Sequence, residues 1–267
     1  MDPSGRTALL TGATGGLGRA IAAALASRGA RLVLSARKAE ALEELAAELP
    51  GEGHRVLAAD LAEPGAAENL AAQVGEVDIL VANAGLPGAG LLADFTPQQV
   101  KRALRVNLEA PMLLAQALFP AMIERGAGHL VFVASLQGKV ASPRTSIYSA
   151  TKFGLRGFAL ALRMDLEPRG IGVSLVSPGF VRDAGMFADT GAKSPPGLGT
   201  TTPGRVADAV VKAIERDKVE LAVAPLPLRF ASHFSLASPA ISVRAQSGST
   251  GQKAARAVTD GHPRDKR

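Results

Sequence analysis

"ALLTGATGGLGRAIAAAL", residues 8–25, decides how the rest of the chain is read. A short apolar run ends at Thr11, glycines follow at Gly12, Gly16 and Gly18, and small apolar residues then recur at helical spacing. A strand that enters a helix through glycines lets backbone N–H groups approach an anion, and the positive end of the helix dipole favours it. The spacing Gly12-x-x-x-Gly16-x-Gly18 departs from the G-x-G-x-x-G dinucleotide fingerprint. Taken alone, the turn reads either as a pyrophosphate cradle or as a glycine-rich bend needed for close packing. The strand before it and the apolar helix after it favour the cradle.

The same strand-then-helix rhythm runs outward along the chain. Strands are expected at 6–11, 31–35, 56–59, 79–82, 130–134, 173–176 and 221–224, and helices at 19–27, 39–49, 97–125, 149–167 and 203–216. The last helix has Thr202 as its N-cap and Pro203 at its first position. Nearly continuous apolar strands alternating with helices predict an α/β fold, a parallel sheet covered on both faces. Residues 184–200, "AGMFADTGAKSPPGLGT", interrupt the rhythm as a loop over a site or a long connection. Beyond Leu228 the pattern decays, which suggests one domain over 1–228 and a basic, partly flexible extension over 229–267.

Composition narrows the chemistry. Hydrophobic residues make up 47% of the 267 residues and aromatics 4%, so the core is built from Ala, Val, Leu and Ile. The absence of cysteine excludes disulfides and thiolate chemistry and fits a reducing compartment. His54, His129, His233 and His262 are scattered, read as loop or surface residues, and give no metal-ligand spacing. The N-terminus lacks a signal-peptide layout, and no apolar run reaches the ~18 residues of a spanning helix, so a cytoplasmic protein without a transmembrane segment is expected. The net charge is +6, and residues 229–267 hold seven basic residues against two acids. The excess therefore belongs to the tail. It reads as a solvated segment with a secondary possibility of contact with an anionic membrane surface, and no nucleic-acid partner is expected.

The end of the second strand, "LVLSARKAEAL", carries Arg37 and Lys38 and no acid before Glu40. An acid there would bond the ribose hydroxyls of NAD, whereas a guanidinium pairs with a 2′-phosphate, so Arg37 favours NADP(H) and leaves NAD(H) possible. Asp60 ends the third strand and reads either as an adenine contact or as a cap of the next turn. Asn83, Ala84 and Gly85 follow the fourth strand, with Asn83 as either a strand brace or a ligand contact.

Tyr148 is the only tyrosine in the chain, and Lys152 lies four residues after it on an expected helix, so the two share a face. Ser135 ends the fifth strand. Hydride reduction of a carbonyl leaves an alkoxide that needs a proton. A phenol with an ordinary pKa of about 10 is a poor base near neutrality unless a neighbouring ammonium lowers it. Ser135 is placed to hydrogen-bond the carbonyl oxygen.

The ordered set "TGATGGLG", "NAG", "RVNLEAP", Ser135, "YSATK" and "SPGFV" resembles the short-chain dehydrogenase/reductase family, compact single-domain branch, over residues 6–228. The resemblance implies a Rossmann-type doubly wound parallel sheet of about seven strands. It implies Tyr148 as general acid/base, Lys152 binding the nicotinamide ribose and lowering the tyrosine pKa, Ser135 positioning substrate, and Asn107 holding a relay water. It also implies a cofactor held by Gly12, Thr14, Gly15, Gly16, Leu17, Gly18, Asp60, Leu61, Asn83, Ala84, Gly85, Pro178, Gly179 and Val181, and a homodimer or homotetramer packed through the helices at 97–125 and 149–167. Three positions depart from the pattern. Gly15 stands where a basic residue often accompanies NADP, Ala82 replaces the first Asn of N-N-A-G, and Asp183 falls where a threonine often meets the carboxamide.

The expected function is an NADP(H)-dependent oxidoreductase interconverting a small-molecule carbonyl and its alcohol, with Phe180, Met186, Phe187 and Leu198 as candidate pocket walls. The alternative is a catalytically silent dinucleotide-binding sensor or scaffold. Removal of residues 247–267 is expected to leave folding and turnover nearly unchanged.

Overall fold

The computed structural model describes residues 1–195 and 197–261. His262, Arg264, Lys266 and Arg267, which the sequence reading placed in the tail, lie outside the described residues. Seven strands form one all-parallel sheet in the order β3-β2-β1-β4-β5-β6-β7. They are β1 (Thr7–Thr11), β2 (Arg31–Ala36), β3 (Arg55–Ala58), β4 (Ile79–Ala82), β5 (Gly128–Val133), β6 (Ile171–Pro178) and β7 (Glu220–Val223). The chain builds outward from β1 to β3, then returns past β1 to continue with β4. This reversal opens a crevice beyond the C-terminal ends of β1 and β4, where ligands bind in doubly wound sheets.

Two core layers sandwich the sheet. On one face α1 (Gly16–Ala26), α2 (Ala39–Glu48) and α7 (Pro203–Glu215) bury Ile21, Leu25, Leu42, Leu45, Val206, Val210 and Ile214. On the other, α3 (Ala66–Val74), α5 (Ala110–Glu124) and α6 (Ser146–Leu166) bury Leu70, Val74, Leu114, Met122, Leu155 and Leu166. Strands β4 and β5 are buried at every residue, which explains their unbroken apolar runs.

The helix expected over 97–125 is α4 (Pro97–Leu104), a π-helical turn at Arg105–Glu109, and α5. Among the described residues this stretch alone is long and apolar enough to cross a membrane. Its apolar side is spent on the sheet: Ala110, Leu114, Ala115, Leu118 and Met122 are buried there. Helix α3 went unread because only Ala67, Leu70 and Val74 form its buried stripe, with Glu68, Asn69 and Gln73 between them. After β7 the chain forms α8 (Leu226–Ala237), α9 (Pro239–Gln246) and α10 (Ser249–Asp260). In α8 the large apolar residues Leu226, Leu228, Phe230, Phe234 and Leu236 do not keep to one helix face, and α9 and α10 have few large apolar residues, so no clear apolar period announced them.

His129 corrects the reading of the histidines as loop or surface residues. It lies inside β5, is 2% exposed and shares a 2.8 Å hydrogen bond between its Nε2 and Ser174 Oγ on β6. Burial brings its pKa down to about 4. His54 is half-buried and accepts from the Leu32 amide, and His233 is exposed on α8.

Candidate active site

The glycine-rich turn is a built cradle. Gly12 has φ +65°, and a Cβ there would lie 2.8 Å from the Cα of Ala84. A Cβ on Gly18 would lie 2.1 Å from the Gly12 carbonyl oxygen, so only glycine lets α1 press this closely on β1. Gly15 is the N-cap of α1; no side chain caps that terminus, and no acid stands in its first turn. An uncapped, close-packed helix start fits a pyrophosphate. The turn is tied to β2 by the Ala13 amide, which donates to the Ser35 carbonyl at 3.1 Å.

The other expected cofactor residues sort by what they touch. Asn83 is a brace: its Nδ2 donates to the carbonyls of Thr11 at 3.0 Å and Gly12 at 3.2 Å. Asp60 caps its turn by accepting from the Ala62 amide at 3.0 Å. Leu61 is buried in the core beside α3. Arg37 is exposed just beyond β2 and makes no ion pair among the described residues, which leaves its guanidinium available to a phosphate. Thr14 and Gly15 lie in the turn itself, and Leu17, Asn83 and Gly85 reach the pocket wall. Pro178 at the end of β6, with Gly179 and Val181 just beyond it, lines the pocket, and the chain folds back over the glycine turn. A Cβ on Gly16 would lie 2.4 Å from the Cβ of Ala184. Asp183, at φ +72°, turns outward to pair with Arg182 at 3.3 Å.

Ser135, Tyr148 and Lys152 converge on one pocket. Because α6 begins at Ser146, Tyr148 occupies its first turn, facing the end of β5. The Ser135 side chain stands beside Tyr148 and favours its phenolate. Lys152 donates from Nζ to the Val133 carbonyl at 3.0 Å, and its nitrogen is 5.7 Å from the Tyr148 ring centroid. Burial pushes the phenol up to about 12, against the opposing effect of Ser135, and brings the ammonium down to about 8. The sequence reading expected a lowered phenol. Within the polypeptide alone desolvation is the larger effect, because Lys152 is turned toward the Val133 carbonyl.

Asn107 sits in the π-helical turn and is fully buried. Its Oδ1 accepts from the Leu86 amide at 2.7 Å, and its Nδ2 donates to the Leu86 carbonyl at 2.9 Å and to Thr151 Oγ1 at 3.4 Å. Thr151 in turn donates to the Tyr148 carbonyl at 2.8 Å. Asn107 thus joins the "NAG" turn to the helix of Tyr148 from behind the pocket wall.

The cavity measures about 350 Å³ and is mostly apolar. Phe180, Met186 and Phe187 line it, with the two phenyl rings 4.8 Å apart, whereas Leu198 does not. The sequence reading missed the far wall: Leu228 and Ala231 from α8, Gln246 from α9, and Gly251, Ala255, Val258 and Thr259 from α10. The last four recur at the period of one helix face, the signal that could have found them. Gln246 latches this wall. Its Oε1 accepts from Ser142 Oγ at 2.9 Å and its Nε2 donates to the Ala141 carbonyl at 2.8 Å. Also missed was a partly buried ion cluster that joins Lys139 and Arg156 to Glu220 of β7. Lys139 Nζ is 3.0 Å and Arg156 Nε 3.2 Å from Glu220 Oε1. Burial raises the Glu220 carboxyl, but Arg156 and Lys139 together hold it below its ordinary value.

A Rossmann sheet with a glycine-rich first turn, and a pocket gathering Ser135, Tyr148 and Lys152 at its C-terminal edge, points to a dinucleotide-dependent oxidoreductase. The family model described as "short chain dehydrogenase" matches residues 6–195, and the chain belongs to that family, whose members use NAD(P)(H) on CH–OH/C=O groups. Among curated proteins, a Bos taurus protein named dehydrogenase/reductase SDR family member 7B is 39% identical over 239 residues, 82% of this chain and 74% of its own. A Nostoc protein named ketoacyl reductase HetN is 37% identical over 231 residues, 84% of this chain and 80% of its own. Among solved structures, a short-chain dehydrogenase from Sphingobium yanoikuyae in complex with NADPH superposes with a TM-score of 0.77 at 28% identity, covering 89% of this chain and 95% of its own.

Proposed function

We propose that the protein interconverts an apolar carbonyl and its alcohol with NADP(H), using Tyr148 as the general acid/base. The observation that carries this reading is the convergence of Ser135, Tyr148 and Lys152 on one mostly apolar cavity beside the glycine turn. The glycine turn, with Pro178, Gly179 and Val181, would hold NADP(H), which would supply or accept the hydride at the substrate carbon. Ser135 hydrogen-bonds the carbonyl oxygen and holds it against the phenol. Tyr148, protonated at neutral pH with its pKa near 12, gives its proton to that oxygen as charge develops. Lys152 keeps a positive charge near the ring and supports the phenolate left behind. Asn107 and Thr151 hold the first turn of α6 in register with the "NAG" turn.

Arg37 supports the choice of NADP(H): it stands exposed where an acid would repel a 2′-phosphate. The NADPH complex of the Sphingobium relative agrees with that choice, and the name of the Nostoc relative agrees with a ketone substrate. Association into a dimer or tetramer through α5 and α6 is part of the same reading; Met112, Phe153 and Met164 are exposed there.

A panel of apolar ketones and secondary alcohols, followed by nicotinamide absorbance with NADPH, NADH and their oxidised forms, tests the reading. Turnover faster with NADPH is the expected result. No absorbance change across the panel, despite NADPH binding, would favour the silent sensor.

A further inference from the structure

Helix α8 is amphipathic the wrong way round for a free surface. The residues it buries are Ser232 and Ser235, and those it exposes include Leu226, Phe230 and Phe234, the phenylalanines at 72% and 54% exposure. Phe230 and Phe234 are four residues apart and so stand side by side. Ser232 satisfies itself by donating to the Arg229 carbonyl at 2.7 Å, and Ser235 hydrogen-bonds Ser242 of α9. The inward serines are therefore part of a finished joint; on α9, Ile241 and Val243 are also more than half exposed, on different sides of that helix. An exposed apolar patch of this kind marks a contact surface.

Charge says what it contacts. No acid occurs between Glu220 and Asp260, while Arg229, Arg244, Lys253 and Arg256 are all exposed and form no ion pair among the described residues. A second copy of the chain is a poor occupant, because a two-fold interface would set this cationic face against itself. We propose that α8 and α9 dock on an anionic phospholipid bilayer, with Phe230 and Phe234 inserted at the acyl boundary and Arg229 and Arg244 against the headgroups. The binding is peripheral. It is independent of the proposed NADP(H) chemistry, and only one consequence rests on that reading. Leu228 and Ala231 of the same helix line the cavity, so docking brings the cavity to the membrane surface and suits a lipid-dissolved carbonyl.

Flotation of the full chain with vesicles tests the docking without any turnover. The chain should float with phosphatidylcholine vesicles containing phosphatidylserine, float far less with phosphatidylcholine alone, and be released by high salt. Each of Phe230→Ser and Phe234→Ser should weaken binding about tenfold, and Arg229→Glu with Arg244→Glu by more than about tenfold. All four positions are exposed, so melting curves should match the parent. Three results would overturn the proposal. The parent could fail to float with the anionic vesicles. Flotation could be indifferent to phosphatidylserine and to the arginine reversals. Sedimentation could show a dimer that Phe230→Ser dissociates, which would make a second copy the occupant.

Discussion

Lys152 on α6 donates to the Val133 carbonyl on β5 at 3.0 Å, and Val133 lies two residues before Ser135. One buried hydrogen bond therefore sets the lysine, the serine and the helix of Tyr148 in a single frame. Neither the Y-x-x-x-K spacing nor the strand-end serine needs to specify the other, because the carbonyl connects them. Tyr148 and Ser135 then share the wall of one cavity.

Tyr148→Phe should remove the proton donor and leave the cavity in place. The expected result is a fall in kcat of about 10²- to 10⁴-fold with NADPH affinity nearly unchanged. Stopped-flow turnover beside fluorescence titration of NADPH reads both quantities. A variant that keeps its turnover would falsify the assigned role of the phenol.

Arg37→Asp places a carboxylate where the 2′-phosphate is expected. The Kd for NADPH should rise about 10- to 100-fold, while that for NADH changes little or improves. The motivating observation is an exposed guanidinium beyond β2 without an acid partner among the described residues. An unchanged ratio of the two constants would move the cofactor preference elsewhere.

His129 makes stability depend on pH between its ordinary value of 6.5 and about 4. Its folded pKa is lowered by burial, so the unfolded chain binds a proton that the folded chain refuses. Stability is fully present above pH 6.5 and is lost as pH falls toward 4, by about 3 kcal/mol at the limit. Urea melts at pH 5 and pH 7 should show this loss, and His129→Gln should remove most of it. Equal pH slopes in the two proteins would count against the assignment.

The middle of the sheet was legible because β4 and β5 are buried at every residue and leave unbroken apolar runs, whereas the edge strands β3 and β7 are only partly buried and stood out by their place in the strand–helix rhythm. The glycine turn was legible because close approach admits no other residue at Gly12 and Gly18. Asn83 and Asp60 kept two readings each, since the side chains that brace a turn are also those that bind a ligand; hydrogen-bond geometry separates them only once the backbone is placed. The cluster of Lys139, Arg156 and Glu220 joins residues as far apart as 139 and 220 and has no local pattern to betray it. The far wall of the cavity hid for another reason. Gly251, Ala255, Val258 and Thr259 are small, and in a stretch of serine, alanine and basic residues their period is faint.

That wall reverses the expectation for the tail. Four residues of α10 line the cavity, and its last turn packs against the loop after β6, where a Cβ on Gly261 would lie 2.1 Å from the Thr190 carbonyl oxygen. Truncation after Gln246 keeps the latch to Ala141 and Ser142 but opens the cavity on the α10 side. The KM for a bulky apolar ketone should rise about tenfold or more, as expected for losing a wall the size of a valine side chain. The KM for a small water-soluble aldehyde and the Kd for NADPH should hold, because neither depends on that wall. Val258→Asp isolates the effect from any loss of folding and should penalise the bulky ketone in the same way. If both variants process the bulky ketone with the parent's KM, α10 is not a substrate wall.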